Sequence, residues 1–333
     1  MKIKRRRLAG LAVGMTLALG LTACSSSGGA QEEAPAASGE GAGGSVDTER
    51  YTIAMITHEA PGDTFWDKIR AGAEDAAQAL NIELNYSNNP EAPEMATLVQ
   101  NAVDQGVDGM AVTLAYPDAV GPALEGAVSA DIPVVAFNSG LDAYEQYGAQ
   151  MYFGSDETVA GNAVGDRLTE AGAEKAICVI QEQGQVALET RCAGVAETFP
   201  NTENLQVEGT DSASVRQTIG AKLQQDPSVT HVVTLGAPFA MIALDSVADA
   251  GSEAEVVTFD LNADAAQAIA DGTIAFSVDQ QPYVQGFMAV QSLWLNLTNG
   301  NDLGGGGPVL TGPSFVDEAN IEQILPYAQN NTR

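Results

Sequence analysis

From Tyr51 onward, short apolar runs alternate with stretches of helical periodicity, and no other feature of the chain constrains its fold so tightly. Segments 51–56, 83–86, 109–114 and 133–137 read as strands. Helices fit the segments 63–80, 93–105 and 117–130. In the first helix Phe65, Ile69, Ala73, Ala76 and Leu80 form one apolar stripe. The rhythm resumes after Gly154, with strands at 176–180, 205–207, 231–235, 256–259 and 274–278. Between and before them lie helical patterns at 157–171, 188–199, 215–225, 239–250 and 263–270. A further helix is expected at 283–297, a flexible joint at Gly304–Gly307 and a late short strand at 314–316. Strict β/α alternation predicts parallel sheets covered on both faces. Two such runs predict an α/β protein of two doubly wound lobes. Open parallel sheets bind ligands beyond the carboxyl ends of their strands, which here places the site in the cleft between the lobes.

The 333 residues suit two domains. The chain has 14 Lys+Arg against 44 Asp+Glu, a formal net charge of −30. Five of those basic residues are Lys2, Lys4, Arg5, Arg6 and Arg7, which leaves 9 for the rest of the chain. So acidic a body excludes nucleic acid, whose binding needs basic residues to displace phosphate counterions. It equally disfavours electrostatic docking on anionic lipid.

The basic start is followed by an apolar stretch of 14 residues, Leu8–Leu21, too short to span a membrane freely. Leu21-Thr22-Ala23-Cys24 then resembles a bacterial lipobox, with Cys24 as the lipidated first mature residue. Residues 1–23 are therefore expected to be a signal peptide. Residues 24–50, rich in Ser, Gly, Ala and Glu, are expected to be a flexible tether. The folded part would work outside the cell membrane, anchored by lipid. In that compartment the remaining pair, Cys178 and Cys192, is more often bridged than free. Their geometry is left open by the sequence, and two Cys without a neighbouring His make no zinc site.

The strand ends carry a row of short polar groups. Asp63-Thr64-Phe65-Trp66 follows the first strand and opens a helix. Adjacent Phe65 and Trp66 cannot both face the core, so one is expected in the cleft. An aromatic plane beside a carboxylate suits a polyhydroxylated ligand: C–H groups stack on the ring and hydroxyls donate to Asp63. Thr113, Asn138 and Ser139 follow later strands, as do Glu182, Asp260 and Gln280. Arg191, expected at a helix start beside Cys192, is an isolated cation near Glu182 and Asp260.

Enzyme signatures are weak. No G-x-S-x-G elbow, Walker loop or H-E-x-x-H motif occurs. Asp260-x-Asn262-x-Asp264 begins like a calcium loop but has Ala265 where Gly is required and lacks the terminal Glu. Neither metal nor cofactor is implied. Glu182 and Asp260 could pair as acid and base of a glycoside hydrolase. His231 opens a strand and reads as a structural edge residue, and His58 has no assigned role.

These motifs, in this order, make the chain from Tyr51 onward resemble the ribose-binding type of ABC-transporter solute-binding lipoproteins, the type I periplasmic binding proteins. Asp63–Trp66 is similar to the family's polar-x-aromatic-aromatic motif, and Ser87–Pro90 with Asp104–Gly109 to its second unit. Ile132–Asn138, Arg191-x-x-Gly194, Phe259-Asp260 and Gln280-x-Pro282 match further binding positions. The resemblance implies ligand contacts at Asp63, Phe65, Trp66, Thr113, Asn138, Arg191, Asp260 and Gln280. Glu182 joins them from the strand-end row. Departures are Ser139, Gly236-Ala237-Pro238, Thr210 and the longer first loop His58–Gly62.

The resemblance further implies a three-crossing hinge between a lobe of 51–154 plus 281–303 and a lobe of 155–280 plus 304–333. It implies an extracytoplasmic monomer that captures a small neutral sugar or sugar alcohol by hinge closure and delivers it to an ABC permease. The alternative is a sensor with the same fold, binding a signalling molecule or nucleoside.

Overall fold

The protein is described by a computed structural model over residues 46–333. The expected signal peptide, Cys24 and nearly all of the tether lie outside these residues. Among the described residues no helix is long and apolar enough to cross a membrane.

The first lobe begins with β1 (Tyr51–Thr57), α1 (Phe65–Ala79), β2 (Ile82–Asn88), α2 (Ala92–Gln105), β3 (Gly109–Val112), α3 (Pro117–Ser129), β4 (Val134–Phe137) and β5 (Met151–Ser155). The chain then crosses at Asp156 into α4 (Glu157–Glu170). It continues through β6 (Ala176–Ile180), α5 (Val186–Thr198), β7 (Thr202–Gln206), α6 (Ser212–Gln225), β8 (His231–Thr234), α7 (Ala237–Ala250), β9 (Glu255–Phe259), α8 (Ala263–Ala270) and β10 (Ile274–Asp279). At Gln280–Gln281 it crosses back into α9 (Pro282–Asn299) and β11 (Val309–Gly312). At Pro313 it crosses a third time, into β12 (Ser314–Asp317) and α10 (Ile321–Gln329).

Two six-stranded sheets result, ordered β11-β5-β4-β3-β1-β2 and β12-β10-β9-β8-β6-β7. All neighbours pair in parallel except β10 and β12. Each sheet has an apolar layer on both faces, around Val112 and Ile53 in the first and around Val232 and Val257 in the second. Central strands β3, β4 and β6 are buried along their whole length, which is why they read as unbroken apolar runs. The expected class, two doubly wound α/β lobes, is the architecture found.

Helices that carry site residues are held by close backbone contact. A Cβ at Gly72 of α1 would sit 2.0 Å from the Tyr283 carbonyl oxygen of α9. A Cβ at Gly286 would sit equally near the Ile69 oxygen. In the second lobe α4 and α5 meet likewise, Gly161 against the Arg191 carbonyl. Thus α1 and α5 are each locked to the helix that follows a crossing.

Several expectations need correction. Strand β11 belongs to the first sheet, so the chain leaves that lobe at Pro313 and not at residue 303. β5 and α10 were not anticipated. β5 is short and contains Gly154, which packs on the Tyr152 side chain, and Pro326 interrupts the helical pattern of α10. β8 is an internal strand, so His231, its buried first residue, is not at a sheet edge.

Candidate ligand-binding site

The carboxyl ends of both sheets face one cavity between the lobes, with about 570 Å³ of empty space, part of it open to solvent. Asn138 follows β4 and Asp260 follows β9, at the same place in each sheet. Both have φ of 64°, the left-handed region that non-glycine residues rarely adopt. That backbone turn aims each side chain into the cavity instead of along its strand. Asn138 Nδ2 donates to Gln280 Oε1 at 3.3 Å and to Gln285 Oε1 at 3.2 Å. Gln280 Nε2 in turn donates to Asp260 Oδ1 at 2.8 Å. The two lobes are thereby joined by a buried amide chain at the second crossing.

Arg191 is buried in the middle of α5, which starts at Val186; it is not at the helix start expected for it. Its Nε donates to Glu157 Oε2 at 2.5 Å and its Nη2 to Glu157 Oε1 at 3.0 Å. Such a bidentate pair fixes the guanidinium plane. Nη1 is left to the Leu235 carbonyl at 3.4 Å and to Asp260 Oδ2 at 4.0 Å. Burial alone would lower the guanidinium pKa, but the Glu157 charge and hydrogen bonds more than offset it, so the cation is held firmly charged. Asp260 is pushed up to about 7 by burial, against the pull of Arg191 and the Gln280 bond.

Asp63 accepts from the Phe65 N–H at 3.0 Å at the start of α1, and burial pushes its carboxyl upward. Phe65 and Trp66 meet edge to face with ring centroids 5.3 Å apart, and both reach the cavity. Trp66 belongs to the core cluster as well. Glu182 is raised to about 7, by burial first and the nearby Asp63 charge second. Its Oε2 and the Oε1 of Gln181 are buried and meet no donor among the described residues.

Of the expected contacts, Asp63, Phe65, Trp66, Asn138, Glu182, Arg191, Asp260 and Gln280 all line this cavity. Thr113 does not. It lies just past the end of β3, fully buried behind His58, whose Nδ1 is 2.7 Å from its hydroxyl. Gln185 Nε2, in the other lobe, lies 3.0 Å from His58 Nε2. An amide nitrogen is only a donor, so His58 Nε2 accepts and Nδ1–H donates to Thr113. Burial and, second, the Arg191 charge hold the His58 pKa at about 3, consistent with that neutral tautomer.

His58, Lys68 and Gln185 line the cavity without having been expected there. Lys68 was legible in principle: it lies three residues beyond Phe65, hence on the same helix face. Gly236, Ala237 and Pro238 form an apolar wall at the start of α7, and Thr210 lies outside, in the wider mouth of the cleft. Cys178 and Cys192 form a disulfide tying β6 to α5, the helix of Arg191.

Chemically, the cavity offers carboxylate and amide acceptors, amide and cationic donors, and aromatic walls. Its two cations are set among the carboxylates of Asp63, Glu157, Glu182 and Asp260. This composition suits a compact, uncharged molecule with many hydroxyl groups.

The periplasmic binding protein domain family matches residues 53–302. The xylose/arabinose-binding protein of Sulfolobus acidocaldarius is 26% identical over 305 residues, 83% of this chain and 73% of that one. The ribose import binding protein of Escherichia coli is 29% identical, over 72% of this chain and 83% of its own. Among solved structures, a carbohydrate transporter protein of Acidothermus cellulolyticus, crystallised in complex with myo-inositol, is 53% identical. It superposes with a TM-score of 0.85, covering 86% of this chain and all of that one. With its two lobes, its triple crossing and a polar cavity between them, the chain belongs to the periplasmic binding protein family, in the ribose-binding type I branch.

Proposed function

We propose that the protein is the substrate-binding lipoprotein of an ABC importer and that its ligand is a small neutral polyol, with myo-inositol the first candidate. The observation that carries this reading is the cavity between the lobes: carboxylates, amides and two cations beside the aromatic rings of Phe65, Trp66 and Phe239. The myo-inositol complex of the 53%-identical relative supports the choice of a cyclic polyol. Asp63, Phe65, Trp66, Asn138, Glu182, Arg191, Asp260 and Gln280 hold the ligand. A ligand that touches both lobes favours the closed arrangement by its extra contacts there, and the closed form is what the permease recognises. Cys24 carries the lipid anchor and 24–50 is the tether, with the protein acting as a monomer outside the membrane.

A hydrolytic role for Glu182 and Asp260 is disfavoured, because Asp260 is tied to Gln280 and faces Arg191. The relatives named above are binding proteins and a transporter component.

The test is thermal denaturation of residues 47–333 against sugars, inositols, linear polyols and nucleosides. At a hundredfold excess over Kd a native-state ligand adds about 2.7 kcal/mol, a rise of several degrees in Tm. A rise with one neutral polyol is the expected result; a rise confined to nucleosides or charged compounds overturns the polyol assignment. The anchor is checked by fractionation: Cys24→Ala is expected to abolish lipid incorporation seen by mass spectrometry of the membrane fraction.

A further inference from the structure

We propose that Lys68 and Asp260 share one hydroxyl of the bound ligand, and that this position makes the site reject deoxy, keto, amino and anionic analogues there. The inference rests on the polyol reading above and names the group that reads the ligand.

Lys68 comes from α1 of the first lobe, is 1% exposed and still lines the cavity. No carboxylate oxygen lies within 4.0 Å of its ammonium among the described residues. The ammonium offers three donors and no acceptor. A buried cation without a close partner is costly, so the protein keeps it at a cost in stability. Asp260 and Asp63 are the strongest favourable charges acting on it, in that order.

Asp260 stands on the second lobe's wall of the same cavity. Its Oδ1 is taken by Gln280 at 2.8 Å, while among the described residues Oδ2 has only Arg191 Nη1 at 4.0 Å. Arg191 is itself committed to Glu157 through Nε and Nη2. A donor-only group on one lobe and an acceptor with spare capacity on the other therefore line the same cavity. A hydroxyl accepts from the ammonium and donates to the carboxylate through one oxygen. A ketone accepts but cannot donate, an ammonium donates but cannot accept, and a C–H does neither. A carboxylate or phosphate would meet Lys68 but be repelled by Asp260. The hydroxyl also bridges the lobes, so it stabilises the closed form selectively.

The experiment is calorimetric titration at pH 8 of the purified protein and its Lys68→Met variant with myo-inositol and its monodeoxy, keto and amino analogues. Thermal melts without ligand accompany it. Wild type is expected to bind myo-inositol and to lose about tenfold or more, the value of a hydrogen bond to a charged group, for one monodeoxy analogue. Lys68→Met is expected to lose a similar factor for myo-inositol and to bind that one analogue as wild type does. Its ligand-free Tm is expected to equal or exceed wild type, because an apolar side chain of similar length replaces a buried ammonium. A purely structural lysine would lower the Tm and weaken all ligands alike. Unchanged affinity in Lys68→Met, or equal losses for every analogue, overturns this inference alone. Failure of wild type to bind any polyol overturns the preceding reading, and this one with it.

Discussion

Arg191 and Glu157 form a buried ion pair, and buried pairs are costly to break from one side. Removing one partner leaves a charge with neither water nor a counter-ion, a loss of about 3–5 kcal/mol. Arg191→Ala is therefore expected to destabilise the ligand-free protein by that order, measured by chemical denaturation, in addition to abolishing binding. Replacing both partners by apolar residues is expected to recover much of the stability but none of the binding. Glu182 makes a different prediction. Its carboxyl is raised to about 7 from an ordinary 4.5. The stability it contributes is thus present below pH 4.5 and lost as pH rises through 7. Ligand-free Glu182→Gln is expected to melt above wild type at pH 8, with the advantage shrinking as pH falls toward 4.5. A pH-independent difference between the two melting curves would count against that account. His58 acts with the opposite sign, since its depressed value costs stability as pH falls below 6.5.

Among the elements, helix spacing is the most sensitive variable. With a Cβ 2.0 Å from a facing carbonyl oxygen, Gly286→Ala must push α9 away from α1. The expected cost is about 1–3 kcal/mol of stability by overpacking, seen as a lower denaturation midpoint. A fall in ligand affinity should accompany it, because α1 carries Phe65, Trp66 and Lys68. Preserved affinity in a folded Gly286→Ala protein would show that α1 can shift without disturbing the site. The sequence made most of these elements legible, for a physical reason: strands buried on both faces must be apolar throughout, and amphipathic helices must keep one stripe. It hid β5 and β11, short segments with glycine whose strand character comes from pairing with neighbours distant in sequence. The strand-end rule likewise found Asn138, Asp260, Glu182 and Gln280. It misplaced Thr113 because His58 folds over it, and it passed over His58 and Gln185 because their contact crosses from one lobe to the other.

At the scale of the whole molecule, the crossings concentrate dependence on a few distant residues. Asp279, at the end of β10, has a fully buried side chain. Its Oδ1 accepts from the Gln281 N–H at 3.0 Å and its Oδ2 from Arg333 Nε at 2.5 Å. Arg333 lies 54 residues away in sequence, beyond the third crossing. Arg333→Ala is expected to cost about 1.5–3 kcal/mol, the value of a hydrogen bond to a charged group. The same change is expected to alter affinity for the ligand, since Gln280 adjoins Asp279 in the second crossing. An unchanged midpoint in a denaturation series would show that Asp279 finds another donor there. The two sheets also share one strand order, with Asn138 and Asp260 at matching places. A cleft made of two like halves presents a ring-shaped guest with two poses related by a half-turn, nearly degenerate in shape. Only chemical difference between the halves can lift that degeneracy. An amide faces a carboxylate at those matching places, and the cavity cation of α1 is the ammonium of Lys68, whereas that of the matching helix α5 is the guanidinium of Arg191, already paired with Glu157. The guest's orientation is thus written in the few positions where the two halves have ceased to be alike.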